Sequence, residues 1–207
     1  MKILAFSDLH QEELALDSLI GIHKNYDFVF GCGDVCDSIS FLEDLTKNIK
    51  NLFLIPGNYE SKRVAEYLLS LDCSIHGKRK ELIDGYNVVG FGFSTPTPFF
   101  TYGELTEEEI TTETHNLAID SKSILLLHCP PYGYFDKIKE KNVGSKSLLN
   151  LINNKNPFLA LFGHIHETRG QSKLLKTTLL KLPPANEFLA IEISIKNNLI
   201  SEKLITL

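Results

Sequence analysis

Apolar and polar positions follow two different periods along the first 71 residues. Short apolar runs typical of strands occupy residues 2–7, 27–31 and 51–55. Apolar residues at helical spacing predict helices over residues 12–23, 37–49 and 61–71. This alternation of strands and helices predicts a parallel sheet with right-handed crossovers. The first and third runs are almost entirely apolar, which indicates strands covered on both faces.

The second half of the chain continues the pattern less regularly. Strand-like runs occur at residues 86–91, 123–127, 158–162, 178–182, 188–194 and 200–205. One helix is predicted over residues 145–153, and another after Thr106, where Glu109 completes a capping box. We therefore expect an α/β fold in which two sheets form a sandwich with helices on its outer faces. Residues 1–207 should form it as one domain.

Composition narrows the classes of protein that fit. The 207 residues are 43% hydrophobic and 23% charged, with a formal net charge of -5. Because no Lys/Arg-rich block occurs, no stable nucleic-acid binding is expected. No apolar run is long enough to span a membrane, the N-terminus has no signal-peptide pattern, and the four cysteines form no CxxC pair. We expect a cytoplasmic protein with reduced thiols, which could form a homodimer.

Polar side chains follow five of the apolar runs directly. These candidate residues are Asp8 and His10, Asp34, Asn58, His128, and His164 and His166. In open α/β sheets the carboxyl ends of strands meet at one edge, so these side chains should share one cleft. Four of the seven histidines of the chain occupy such positions, a concentration that core packing does not explain.

Imidazole and carboxylate ligands suit divalent Mn, Fe, Ni and Zn, and no cysteine stands at a matching ligand position. Two such ions about 3.5–4 Å apart lower the pKa of a bridging water and stabilise an in-line displacement at phosphorus. The residue types therefore indicate a metal-dependent phosphoesterase in which a metal-bridging hydroxide attacks the ester.

The motifs resemble those of the calcineurin-like metallophosphoesterases: DxH, GDxxD, GNH(D/E), a lone His, and GHxH. Here they read Asp8-Leu9-His10, Gly33-Asp34-Val35-Cys36-Asp37, Gly57-Asn58-Tyr59-Glu60, His128, and Gly163-His164-Ile165-His166. The five motifs occur in the same order as in the family, over residues 8–166. The Pro- and Thr-rich stretch from Ser94, followed by an acidic helix, is similar to small stand-alone archaeal and bacterial members.

The resemblance implies a four-layer α/β/β/α sandwich and two metal ions. Asp8, His10, Asp34 and His166 would bind one ion. Asp34, Asn58, His128 and His164 would bind the other, with Asp34 as the bridge. It also implies a small phosphate ester, a phosphodiester or nucleotide, as the substrate, with Asn58 helping to hold the phosphate.

Two positions depart from the family pattern. Tyr59 replaces the usual His, which contacts the phosphate or protonates the leaving group and often pairs with the second Asp of GDxxD, here Asp37. A phenol donates a hydrogen bond but is a poor proton source near neutrality. Ser38 stands where protein serine/threonine phosphatases carry a phosphate-binding Arg, which argues against a phosphoprotein substrate.

Other interpretations remain open from the sequence. A scaffold or binding protein on this fold, with little turnover, is the alternative to an enzyme, and Tyr59 is the substitution that favours it. Asn58, Tyr59 and Asp37 are the catalytic candidates, and Asp37 is also expected to cap the helix after it. Glu60 is not counted in the site, because its charge can equally serve to stabilise the first turn of a helix through the helix dipole. Cys32 and Cys129 are expected to be small buried residues. Phe99, Phe100 and Tyr102 form either a satellite hydrophobic cluster under the Pro-rich loop, or a lid or base-stacking wall over the metals or a dimer contact.

Overall fold

The computed structural model describes residues 1–207, with five helices and two large β-sheets. The helices are α1 (Glu13–Ile22), α2 (Ile39–Asn48), α3 (Lys62–Ser70), α4 (Glu107–Thr114) and α5 (Lys146–Lys155). The first sheet, in spatial order, is β13 (Leu199–Thr206), β12 (Leu189–Lys196), β1 (Lys2–Phe6), β2 (Phe28–Cys32) and β3 (Leu52–Ile55). The second is β10 (Gly170–Leu174), β11 (Thr177–Lys181), β9 (Leu159–Phe162), β6 (Ser123–Leu127), β5 (Asn87–Phe91) and β4 (Arg79–Glu81).

Each sheet contains a set of adjacent parallel strands. In the first sheet β1, β2 and β3 are parallel, and β12 and β13 continue the sheet antiparallel. In the second sheet β5, β6, β9 and β11 are parallel, with β4 and β10 antiparallel at the edges. A small hairpin, β7 (Lys137–Ile138) and β8 (Lys141–Asn142), lies outside both sheets.

Alternate side chains of each strand enter different cores, as the pleat of a strand requires. Leu4 and Phe6 of β1 pack with apolar residues of α1, α2 and α3, whereas Ile3 and Ala5 face the second sheet. On β6, Leu125 and Leu127 pack with residues of α4 and α5. Three cores separate four layers, so the expected α/β/β/α sandwich is confirmed.

Predicted and observed elements differ mainly at the ends and at the sheet edges. The capping box of α4 is present: Thr106 Oγ1 accepts from the backbone N of Glu109, and Glu109 accepts from the backbone N of Thr106. The expectation that Asp37 caps α2 is wrong, because the side chain of Ser38, and not that of Asp37, accepts from the Phe41 N–H. The short strands β4, β7, β8 and β10 were missed, since they are polar and largely exposed. No helix is both long enough and apolar enough to cross a membrane.

One largely buried histidine, His76, gives the fold a dependence on pH, with a side chain that is 14% exposed. His76 lies between α3 and β4, its ring packs on Phe91 and Phe93, and its Nδ1 accepts from the backbone N of Gly92 at 2.9 Å. Burial and the charge of Lys78 lower the pKa of His76 to about 4, although Glu113 lies 4.0 Å from Nε2. The folded protein therefore keeps this ring neutral where the unfolded chain protonates it.

We expect acidification from pH 7.5 to pH 5 to cost about 2 kcal/mol at His76, because the unfolded state binds the proton there and the folded state does not. The loss should begin near the unfolded pKa and level off below the folded pKa of about 4. Urea unfolding at both pH values, with chelator present, should show a smaller pH effect in His76→Gln than in the wild type. His115→Gln, at an exposed histidine, is the matched control. Equal pH effects in wild type and His76→Gln would contradict the assignment.

Candidate metal centre

The structure brings all seven predicted ligands to the carboxyl-end edge of the two sheets. Those from the first sheet follow β1, β2 and β3, and those from the second sheet follow β6 and β9. β2 packs against β6 across the sandwich, which brings Asp34 close to His128. Residues up to 158 positions apart along the chain thus reach one site because their strands end at the same place.

The first ligand group consists of Asp8, His10 and His166, whose ligand atoms all lie within 4.8 Å of one another. His166 Nε2 is 3.4 Å from Asp8 Oδ1 and 3.4 Å from His10 Nε2. Asp8 is completely buried, whereas the His166 side chain is 38% exposed. This group therefore lies at the opening of the site, where a substrate can approach.

The second ligand group consists of Asp34, His128 and His164, also within 4.8 Å of one another. His128 Nε2 lies 3.2 Å from Asp34 Oδ1, 3.2 Å from His164 Nδ1 and 3.1 Å from Asn58 Oδ1. The carbonyl of Cys32 accepts from His128 Nδ1 at 2.8 Å. Because that contact orients the ring, His128 Nε2 points at the other ligand atoms.

Asp34 connects the two groups. Its Oδ1 faces His128, and its Oδ2 lies 3.9 Å from His10 Nε2 in the first group. The backbone N of Tyr59 also donates to Oδ1 at 2.8 Å. A carboxylate with one oxygen toward each group has the geometry that a bridging ligand needs.

Several of these side chains are displayed by a strained backbone. Asp8, His10, Asp34 and His164 have φ values of 56°, 46°, 51° and 74°, in the left-handed region that side chains other than glycine rarely adopt. Hydrogen bonds hold this conformation: Asp8 N donates to Gly33 O, His10 N to Asp34 O, and His164 N to Asp8 Oδ2, each at 3.0 Å. Strain held in this way is typical of functional sites.

Glycine is required where the ligand loops touch. A Cβ on Gly33, whose φ is 87°, would lie 2.5 Å from His128 Nδ1. A Cβ on Gly57 would overlap the carboxylate of Asp34. The Gly residues of the GDxxD and GNYE motifs therefore let the two loops and His128 approach one another.

Charge and burial set the protonation of the ligands. Burial alone would raise the pKa of Asp8, yet the hydrogen bond with His166 and the charges of His128 and Lys181 bring it well below its usual range. Burial lowers the pKa of His10, and burial together with the charge of His128 lowers that of His164 to about 4. Both rings are therefore neutral near pH 7, the form that binds a metal ion.

Neighbouring carboxylates favour the protonated form of the other two imidazoles. Despite burial, the charge of Asp34 raises the pKa of His128 to about 9, and the hydrogen bond to Asp8 raises that of His166. The imidazole nitrogen lies 3.2 Å from the carboxylate oxygen at His128 and 3.4 Å from it at His166. The donor set, carboxylate oxygens and imidazole nitrogens around two shared positions, fits two divalent transition-metal ions.

Glu60 holds the two central loops together, a role that its sequence motif does not reveal. Its side chain is 1% exposed; Oε1 accepts from the backbone N of Val35 at 2.7 Å and Oε2 from that of Gly57 at 2.9 Å. Burial and repulsion by Asp34 raise the pKa of Glu60 to about 7. The signal was present in its motif position, but only the fold reveals that one carboxylate binds both loops.

Lys181, at the end of β11, is a second residue that the sequence did not point to. It is 0% exposed, and its Nζ donates to the carbonyl of Leu182 at 2.6 Å. Burial lowers the pKa of Lys181 to about 8, against the opposing charge of Asp8. In return, the charge of Lys181 helps to lower the pKa of Asp8. A single Lys at a strand end has no motif that distinguishes it from a surface residue.

The remaining candidates lie around the two ligand groups. Tyr59 is 43% exposed, and its ring lies edge-on to His10 with 4.8 Å between centroids. Asp37 is exposed and accepts from the backbone N of Ser61 at 2.7 Å, so it is not among the converging ligand atoms. Cys32 and Cys129 are buried free thiols, as expected.

The aromatic residues of the Pro-rich loop are exposed. Phe99 and Phe100 are 78% and 89% exposed, and Tyr102, 47% exposed, lies edge-on to Phe93. A buried satellite cluster is therefore wrong for Phe99 and Phe100. Thr101, between them and Tyr102, reaches the site itself: Asn58 Nδ2 donates to Thr101 Oγ1 at 3.0 Å.

Comparisons with known proteins agree with this geometry. An uncharacterized protein of Methanocaldococcus jannaschii is 34% identical over 201 residues, covering 91% of this chain and 90% of that protein. Human metallophosphoesterase domain-containing protein 1 is 33% identical over 141 residues, 63% of this chain and 41% of that protein. The crystal structure of a dimetal phosphatase from Danio rerio shares the fold at 10% identity, with a TM-score of 0.66 over 100% of this chain and 98% of that one. Residues 1–168 match the calcineurin-like phosphoesterase family, and the chain belongs to that family.

Proposed function

We propose that this protein hydrolyses phosphate esters, with phosphodiesters or nucleotides as its best substrates, and that two divalent transition-metal ions serve the reaction. One observation carries the proposal: two groups of three ligands lie side by side, and Asp34 of the second group also faces the first. The first group is Asp8, His10 and His166, and the second is Asp34, His128 and His164. Ester hydrolysis is the activity of this family, and a binuclear site is the chemistry that such an arrangement suits.

The ligands divide between the two ions as follows. Asp8, His10, Asp34 and His166 would hold one ion, and Asp34, Asn58, His128 and His164 the other. When bound, the ions would supply Lewis acidity toward phosphoryl oxygens and a lowered pKa for a water between them. Mn, Fe, Ni and Zn all suit carboxylate, amide and imidazole ligands.

The protein's own residues position the ester. His10 and His166 are partly exposed, so the phosphate would approach from their side of the centre, next to Tyr59. The buried residues Asp8, Asp34 and His128 lie behind and keep water away from the inner face. Tyr59 can donate a hydrogen bond to a phosphoryl oxygen, which orients the substrate without supplying a proton to a basic leaving group.

The alternative is a scaffold protein on the same fold, favoured by one observation, Tyr59 at the position of the usual histidine. Against it, every predicted metal ligand is present and converges on the site. An enzyme and a scaffold differ in turnover once metals are supplied, which the following experiment measures.

We expect activity on bis-p-nitrophenyl phosphate to disappear after chelation and to return with Mn²⁺ or Ni²⁺. Asp34→Asn and His128→Ala should each lower the restored kcat/KM by about 100-fold or more, because each removes a ligand that orients or bridges the ions. His115→Ala, at an exposed histidine outside the site, should behave as the wild type. Tight metal binding without turnover on any ester would favour the scaffold instead.

We expect Tyr59→His to raise activity on alkyl phosphate esters by about 10-fold or more while changing aryl esters little. A histidine can protonate a strongly basic alkoxide, whereas nitrophenolate leaves without that proton. Parallel kcat/KM measurements on one alkyl and one aryl ester, with Tyr59→Phe as the control for lost hydrogen bonding, separate the two effects. An equal gain on both esters, or none on the alkyl ester, would count against a role for residue 59 in leaving-group protonation.

A further inference from the structure

Residues 94–104 form a closed loop that is fixed to the metal centre, and we refer to it as the 94–104 loop. Its ends pair through two backbone hydrogen bonds, from Ser94 N to Gly103 O at 2.9 Å and from Leu105 N to Ser94 O at 2.8 Å. Immediately before it, Phe93 N donates to Pro56 O at 3.0 Å. The base of the loop is thus bound to the segment that carries Asn58.

The far end of the loop packs on the same segment. A Cβ on Gly103 would lie 2.8 Å from the Cα of Asn58, so the two backbones are in direct contact there. Phe100, with φ of 54°, turns the chain just before Thr101. These contacts bring the Thr101 hydroxyl to the Asn58 side chain.

A chain of hydrogen bonds runs from the loop to this metal-ligand candidate. Glu104 Oε1 accepts from Thr101 Oγ1 at 2.7 Å and from Thr101 N at 2.8 Å, as well as from Thr97 Oγ1. Thr101 Oγ1 in turn accepts from Asn58 Nδ2 at 3.0 Å, and Asn58 Oδ1 lies 3.1 Å from His128 Nε2. Asn58 is 6% exposed, so little water reaches its amide.

The ionised carboxylate of Glu104 sets which group donates and which accepts along these hydrogen bonds. Although partial burial acts to raise the pKa of Glu104, the hydrogen bonds from Thr97 and Thr101 lower it to about 2. An ionised carboxylate can only accept, so the single hydroxyl proton of Thr101 must point at Glu104. The Thr101 oxygen is then left as an acceptor, and only the NH₂ side of Asn58 can face it.

We propose that Thr101 and Glu104 are positioning residues that fix the orientation of the Asn58 amide, so that its oxygen and not its NH₂ group faces the metal centre. This inference rests on the proposed function, since it takes Asn58 as a metal ligand. An amide has two faces of similar size, and only its oxygen can bind a cation. If His128 Nε2 held an ion, it could no longer donate to Asn58 Oδ1, and the contact with Thr101 would then be the hydrogen bond that sets the orientation of the amide.

The proposal predicts different effects for variants of similar shape. Thr101→Val removes the acceptor and leaves the Asn58 NH₂ group without a partner, whereas Thr101→Ser keeps it. Glu104→Gln can turn its own NH₂ toward Thr101, which releases the hydroxyl to donate to Asn58 Oδ1 and favours the reversed amide. Thr97→Val is the matched control, because Thr97 bonds the same carboxylate but does not touch Asn58.

The experiment measures Mn²⁺ binding to the chelator-treated protein by calorimetry, with kcat and the Mn²⁺ requirement on bis-p-nitrophenyl phosphate as a second readout. Thr101→Val and Glu104→Gln should weaken binding of one of the two ions by about 10- to 100-fold, the range typical of lost outer partners of metal ligands. At saturating Mn²⁺ their kcat should return close to the wild-type value, because the ligand itself is still present. Thr101→Ser and Thr97→Val should bind both ions as the wild type does. Unchanged thermal midpoints of the chelated variants would show that the fold is intact.

Asn58→Ala distinguishes a failure of the positioning role from a failure of the proposed function. Asn58→Ala should lose affinity for the same ion, and adding Thr101→Val to it should cause no further loss, because the two changes act through one group. If Asn58→Ala weakens binding but Thr101→Val and Glu104→Gln match the wild type, the positioning role is overturned and the proposed function stands. Equal losses in Thr97→Val and Thr101→Val would also overturn it, since the loop as a whole would then be responsible. Wild-type protein that binds no Mn²⁺ would overturn the proposed function and this inference with it.

Discussion

The site depends on one carboxylate, Asp34, which faces two groups of ligands at once. It follows β2, the strand that lies between β1 and β3 in one sheet and packs against β6 of the other. Its Oδ1 lies 3.2 Å from His128 Nε2 and its Oδ2 lies 3.9 Å from His10 Nε2. A carboxylate buried in this way is costly unless positive charge surrounds it, and protonated His128 supplies that charge when no ion is bound.

The neighbours of Asp34 are arranged so that its loop cannot relax away from this position. Glu60 accepts from a backbone N–H in each of the two adjoining loops, and the absence of a side chain on Gly57 leaves room for the Asp34 carboxylate. Left-handed backbone at Asp8, His10 and His164 adds strain that hydrogen bonds between the loops offset. Bringing the carboxylates of Asp8 and Asp34 and the strained backbone together costs free energy, and the packing of the four layers behind them offsets that cost.

Two features outside the metal ligands contact ligand residues. Tyr59 stands beside His10 at the opening, and the 94–104 loop places two exposed aromatic rings on the chain next to Thr101. The same loop is bonded to Asn58, so its conformation and that of a metal-ligand candidate are physically linked. The bonds of Thr101 and Glu104 hold the inner side of the loop to Asn58, whereas Phe99 and Phe100 are exposed to solvent.

The order of strands and helices, the α/β class and the seven ligand candidates are readable from the amino-acid sequence, because hydrophobic period and motif spacing are local properties of the chain. The pattern places the end of each central strand within one or two residues, but it does not reveal polar edge strands such as Arg79–Glu81, whose pairing alone makes them strands. Three contacts become visible only in the folded chain: Ser38 and not Asp37 caps α2, Glu60 joins two loops, and Thr101 meets Asn58. Each of these contacts joins atoms by distance and direction, and a buried Glu, Lys or Thr has the same letter in the sequence as an exposed one.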